Sequence, residues 1–151
     1  MRTIGIRAAP KLITFAIYDT TTDAIVNVET IKIPAAFNVP EALKYIRCNI
    51  LDVLREYSIE KAGLRVTESN SQSLNIDRIQ IEGVIQESFA SSDLYSYYIA
   101  QISSISKRIG IKRSDFKPLI NGGAYPAVEN WGKMTKEARE AILCAIGAEN
   151  A

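Results

Sequence analysis

The first 33 residues constrain the fold of this chain more than any other stretch. Thr3 to Ala8, Leu12 to Tyr18 and Ala24 to Ile33 read as three consecutive strands. Pro10 marks the first reversal and Thr20-Thr21-Thr22-Asp23 the second, both residue types that favour turns over ladders. The second run alternates imperfectly, whereas the third alternates clearly from Ile25 to Ile33, so one of its faces is wet. Reversals this short join antiparallel neighbours, because a parallel pair needs a crossover of a dozen or more residues. The chain therefore opens with a three-stranded antiparallel meander.

Helices and strands then alternate. Asn38 is placed to cap a helix with Pro40 in its first turn, and Leu43, Ile46, Ile50, Leu54 and Tyr57 share one face of it. A strand over 61–67 leads into the polar loop Glu68 to Leu74. A second helix is expected over 75–90, with Ile76, Ile79, Val84 and Ile85 towards the core. Gly83 in mid-helix costs about 1 kcal/mol against alanine, so close packing against a neighbour is the expected compensation. Leu94 to Ile99 reads as a fifth strand, 102–109 as a short helix and 114–120 as another helical turn. Asn121 to Pro126 is a loop, its Gly122-Gly123 a turn that fits no phosphate-binding motif. Thr135 caps a last helix whose apolar stripe is Ala138, Ala141, Ile142, Ala145 and Ile146. The order β-β-β-α-β-α-β-α…α indicates a mixed sheet covered by helices, one domain over 1–148 with 149–151 expected to fray.

Composition excludes several chemistries. The 151 residues include no histidine, which removes Ser-His-Asp and Cys-His catalysis and most zinc sites. Cys48 and Cys144 fall within expected helices without metal-ligand spacing and read as free thiols. A formal net charge of +1 advertises no global affinity for polyanions, so any such surface is local. No apolar run approaches the roughly 20 residues of a membrane span and no signal peptide is recognised, which makes a cytoplasmic location the expectation.

The local candidate is basic. Lys107, Arg108, Lys112 and Arg113 fall within seven residues, with Lys117 just beyond, and clustered cations are what phosphates require. Such runs are also common as solvated helix ends. Tyr95, Tyr97 and Tyr98 are able to stack bases, although a tyrosine-rich strand is more often packing. Glu82 reads as a surface carboxylate.

Four local patterns, in the right order, resemble the RuvC-type resolvase branch of the ribonuclease H-like superfamily. Ile4-Gly5-Ile6-Arg7-Ala8 with Ile13 to Asp19 is similar to that family's opening hairpin, which normally reads Gly-Ile-Asp-Pro-Gly. Leu64 to Ser69, the polar loop and the Gly83 helix resemble its fourth strand, loop and next helix. Tyr97 to Gly110 resembles its fifth strand and lysine-bearing helix, with Lys107 in the lysine's place. Ala138 to Ile146 resembles its closing helix.

The resemblance implies a ribonuclease H-like mixed sheet flanked by helices, an antiparallel three-strand meander joined to parallel strands. It also implies a homodimer, and a site where carboxylates hold two Mg²⁺ ions that activate water. Carried onto this chain, that site is degenerate. Arg7 stands where the first carboxylate belongs; the second position falls on Glu68 or Arg65; the third is Glu140, with Glu137 as the alternative inward residue. An arginine among carboxylates is an ion pair in waiting, and Arg7 is expected to bridge Glu68 or Glu140. The implied function is binding, to nucleic acid or to a protein partner, with no metal and no cofactor. The alternatives are an active Mg²⁺-dependent nuclease on branched or single-stranded nucleic acid, and a remnant of the actin-like nucleotide-binding fold.

Overall fold

Side-chain alternation along the strands of a computed structural model, which describes residues 1–151, decides where each layer of the protein sits. Strands β1 (Arg2–Ala8), β2 (Leu12–Asp19) and β3 (Ala24–Lys32) form the antiparallel meander, and β4 (Ile59–Arg65) and β5 (Ser96–Ala100) add to it in parallel. The sheet order is β3-β2-β1-β4-β5, so β1 and β4 are neighbours at its centre. This is the mixed sheet expected.

Two buried clusters lie on the two faces of that sheet. Ile4, Ile6, Ile13, Phe15, Ile17, Ala62 and Leu64 point towards helices α1 (Val39–Glu56) and α2 (Ile76–Ala90). Ala16, Tyr18, Tyr98 and Ala100 point the other way, towards α3 (Ile102–Ile109), α4 (Arg113–Ile120) and α5 (Lys136–Gly147). β1 and β2 are therefore covered on both sides, which is why β2 reads as a nearly continuous apolar run.

The caps fall where the sequence puts them. Asn38 accepts from the Glu41 amide while the Glu41 side chain accepts from the Asn38 amide, a reciprocal capping box worth about 1 kcal/mol. Thr135 Oγ1 accepts from the Ala138 amide at the start of α5.

α2 departs from expectation. Ile76 and Ile79 are exposed, and the buried residues are Ile81, Glu82, Ile85, Ser88 and Phe89. The helix is rotated because Ile81, Ile85 and Phe89 form the continuous apolar row that meets α1 and the sheet. Gly83 faces outward with no atom within 4 Å of where a Cβ would sit, so no close packing offsets its cost.

α5 is the element that positions the site. It lies directly on β1, because Gly5 leaves room for the Ala141 carbonyl and the Ala145 backbone. Thr3 Oγ1 donates to the Ala145 carbonyl at 2.6 Å, and Gly63 on β4 makes space for Tyr98 and Cys144 Sγ. Where a frayed tail is predicted, residues 148–150 form a 3-10 turn, and Ser96 Oγ donates to the Ala151 carbonyl at 3.1 Å. No helix is long and apolar enough to cross a membrane.

Candidate nucleic-acid interface

β1 and β4 run parallel with Gly5 opposite Gly63 and Arg7 opposite Arg65. Residues 3, 5 and 7 of β1 and 63 and 65 of β4 share the α5 face, so two arginines emerge side by side at the carboxyl ends of the central strands. The glycines admit α5, and α5 delivers Glu140 to the same place. Arg7 Nε donates to Glu140 Oε2, and Arg65 Nε lies 3.5 Å from Glu140 Oε1. Glu140 is 2% exposed, so the carboxylate is enclosed with two guanidiniums for company.

This resolves two open expectations. The partner of Arg7 is Glu140, not Glu68. Glu137 is only half-buried and makes no ion pair, so Glu140 is the inward acid although it sits off the centre of the alanine stripe. The reason is local: the whole inner half of α5 is buried, polar residues included, and Arg7 and Arg65 supply charge where Glu140 enters.

The second strand-end position belongs to Arg65, which is in register with Arg7, while Glu68 comes three residues later in the loop. Glu68 Oε2 accepts from Arg65 Nη1 at 2.9 Å and from the Ile102 amide at 3.1 Å. It thereby caps α3, whose own N-cap residue Gln101 offers no side-chain bond. Gln101 instead accepts from the Ser69 hydroxyl at 3.2 Å, so the start of the polar loop is tied to the start of α3.

A third carboxylate joins from α2. Glu82 is 4% exposed, not the surface acid expected, and its Oε2 accepts from the Thr67 amide, the Thr67 hydroxyl and Arg78 Nε at 2.9, 3.0 and 2.8 Å. Three donors on one carboxylate explain its burial. Burial pushes the Arg78 guanidinium below the usual arginine range, and repulsion from Arg7 and Arg65 adds to that while Glu82 and Glu140 oppose it. Arg113, at the start of α4, brings Nη2 to 3.7 Å from Glu68 Oε1 and is 60% exposed.

The result is four arginines interleaved with three glutamates. Every one of these carboxylates already has a guanidinium. No group of three or more histidine, cysteine or acidic side chains is placed to share a metal ion. The residues present do not suit a divalent cation, because each carboxylate that could ligate it is already paired with a guanidinium that repels the ion.

Arg65, Arg78 and Glu82 are the members that sequence reading under-weighted. Two signals mark them. Gly5-Ile6-Arg7 and Gly63-Leu64-Arg65 share a pattern, glycine to admit a helix and arginine two residues on, on the same face. Arg78 and Glu82 sit four apart, as helical ion pairs do.

The basic segment lies beside this cluster. Lys107, Lys112, Arg113 and Lys117 are exposed, and the three lysines make no ion pair. Arg108 leaves the row: its guanidinium stacks 4.3 Å from the centroid of Tyr98. Tyr98 is buried and donates to the Cys144 carbonyl, while Tyr95 and Tyr97 are exposed. Cys48 is exposed and Cys144 buried, neither in a disulfide.

Neither a family model nor a curated protein sequence matches the chain. Solved structures do. RuvC from T. thermophilus in complex with Holliday junction substrate superposes with a TM-score of 0.70 at 11% identity, covering 97% of this chain and 92% of that one. T. thermophilus RuvC alone gives 0.67 at 11% identity with the same coverage. The yeast mitochondrial Holliday junction resolvase Ydc2 gives 0.61 at 11% identity, covering 96% of this chain and 77% of that one. The fold is thus RuvC-like, within the ribonuclease H-like class; at this identity the likeness concerns the fold alone.

Proposed function

We propose that this protein binds branched or single-stranded nucleic acid and does not cleave it by metal-dependent chemistry. The observation that carries the reading is Arg7 beside Arg65, both on Glu140, at the carboxyl ends of the two central strands. In this arrangement side-chain cations stand where metal-assisted hydrolysis needs carboxylates free to hold divalent ions. What remains is a positive rim able to meet phosphates: Lys107, Lys112, Arg113 and Lys117 on α3 and α4, with Arg108 contributing mainly through its packing on Tyr98. Arg7, Glu68 and Glu140 then serve as an ion-paired floor under the binding surface. The RuvC-like fold supports the reading, since one structure sharing it holds a Holliday junction. A homodimer, as the resemblance read in the sequence implies, addresses two strands at once.

Fluorescence anisotropy with a four-way DNA junction in EDTA tests it. Binding is expected without divalent ions, and four phosphate contacts give a slope of log K against log salt of roughly −3 to −4. Incubation with Mg²⁺ or Mn²⁺ is expected to leave the junction intact. Cleavage that requires the metal and disappears in Glu68→Gln or Glu140→Gln would establish the nuclease instead. Absence of any DNA or RNA binding would leave a protein as the partner.

A further inference from the structure

We propose that Arg78 and Arg113 flank a seat for a single phosphodiester group at the carboxyl ends of β1 and β4, filled without a metal ion. The inference rests on the nucleic-acid reading and names the ligand group that the arginine–glutamate cluster takes.

Charge comes first. Four guanidiniums meet three carboxylates, so the cluster carries one positive charge without a counter-ion. The surroundings are partly dehydrated: the side chains of Arg7, Arg78 and Glu68 are 14%, 17% and 17% exposed. An unbalanced charge in such a place is stabilised by an anion more strongly than it would be on an open surface.

Donors point the same way. Arg78 uses Nε on Glu82, and neither of its terminal nitrogens makes a hydrogen bond or is sealed from solvent. Arg7 uses Nε on Glu140 and Nη1 on the Ala8 carbonyl, leaving Nη2 unused. The Arg113 side chain makes no hydrogen bond; its Nη2 lies 3.7 Å from Glu68 Oε1 and the side chain is exposed. Burial and the like charges of Arg7 and Arg65 already disfavour the cationic form of Arg78, a tension that an added anion relieves.

The choice of anion follows from what lies next to the seat. A phosphodiester has one negative charge, matching the excess, and two free oxygens that suit the guanidinium fork. A carboxylate shares both properties. Arg113, however, follows Lys112 and opens α4, which also carries the exposed Lys117, while Lys107 is exposed on the preceding helix. A single-charge seat on a segment that carries several more exposed cations fits a chain of phosphates better than an isolated acid.

The test has two arms, both in EDTA. In ¹⁵N-labelled protein, the dinucleotide dTpdT is expected to shift the Nε–H signals of Arg78 and Arg113 saturably, leaving those of the surface residues Arg47 and Arg55 in place. By anisotropy, Arg78→Gln and the exposed Arg113→Gln are each expected to weaken binding of a fluorescent oligothymidylate about tenfold and to lower the salt slope by about 1, while Arg47→Gln has no effect. Shifts that need Mg²⁺ would overturn the metal-free seat, and a response to an acidic peptide but not to dTpdT would overturn the choice of anion. Oligothymidylate binding that ignores Arg78→Gln and Arg113→Gln yet fails on changing Lys107 and Lys112 would reject the seat and keep the nucleic-acid reading. No binding of the oligothymidylate by the parent protein would reject both.

Discussion

Arg7 and Arg65 stand in register on adjacent parallel strands and share one enclosed carboxylate, that of Glu140. Two guanidiniums side by side repel, and the acid between them, with Glu68 on the far side of Arg65, makes the pairing tolerable. Glu140→Gln is therefore expected to destabilise the fold by about 3–5 kcal/mol, since it strands the partly buried Arg7 and leaves Arg65 with Glu68 alone. Arg7→Met is expected to cost less, because Glu140 keeps Arg65. Urea unfolding of the two variants measures the difference, and equal losses would mean that Arg65 does not support Glu140.

Reversing both strand-end charges should change what the cluster attracts. In an Arg7→Asp, Arg65→Glu variant, the new acids stand beside Glu68 and Glu140 with fewer cations to answer them. Mn²⁺ is expected to raise the unfolding midpoint of that variant by several degrees and to leave the parent unchanged, as binding to the folded state alone requires. Calorimetric titration with Mn²⁺ gives the affinity directly. A parent protein that takes up Mn²⁺ as tightly as the variant would contradict the role given to the two arginines.

Two glycines should respond in opposite directions. Gly83 lies on the exposed side of α2 with open space where a Cβ would go. Gly83→Ala is expected to stabilise by about 1 kcal/mol, seen as a thermal midpoint roughly 2–4 °C higher. Gly5→Ala would drive a methyl group into the backbone of α5, 2.9 Å from Ala145 Cα and closer still to the Ala141 carbonyl. That variant is expected to lose 3 kcal/mol or more, about the upper range for overpacking, and with it the approach of Glu140 to Arg7.

Alkaline conditions should weaken the fold. Burial pushes the Cys144 thiol up to about 12 from its ordinary 9.0, and Tyr98 far above its ordinary 10.0. Burial, reinforced by the Asp23 carboxylate, raises Tyr18 to about 12. In each case the folded state holds a proton that the unfolded chain gives up sooner. The stability this represents is fully present below about pH 9 and declines as pH climbs from there towards 12. Urea midpoints at pH 8 and pH 10.5 are expected to fall in that order, and Cys144→Ala is expected to flatten the decline. In the native protein a thiol reagent at neutral pH should modify Cys48 and spare Cys144.

Much of the architecture is written locally. The meander follows from short turns between alternating runs, and the helix starts at Asn38 and Thr135 follow from side chains that satisfy orphan amides. Boundaries shift by a residue or two where pairing decides them: β4 begins at Ile59, two residues before the expected start, and β5 at Ser96. α2 is less legible, because Ile76 and Ile79 are as apolar as the residues that are buried, and only the neighbouring helix and sheet select among them.

The sequence by itself determined the order of elements, the lack of histidine chemistry and the presence of an arginine near the end of the first strand. These depend on residues close in the chain, or on composition, and need no partner. The tertiary structure alone decided that Arg7 meets Glu140 across 133 positions, that Arg65 and not Glu68 stands beside Arg7, and that Glu82 turns inward to Thr67 and Arg78. Which charges pair depends on strand register and on how closely a helix approaches, and the close approach is admitted by Gly5 and Gly63, residues that carry no charge themselves.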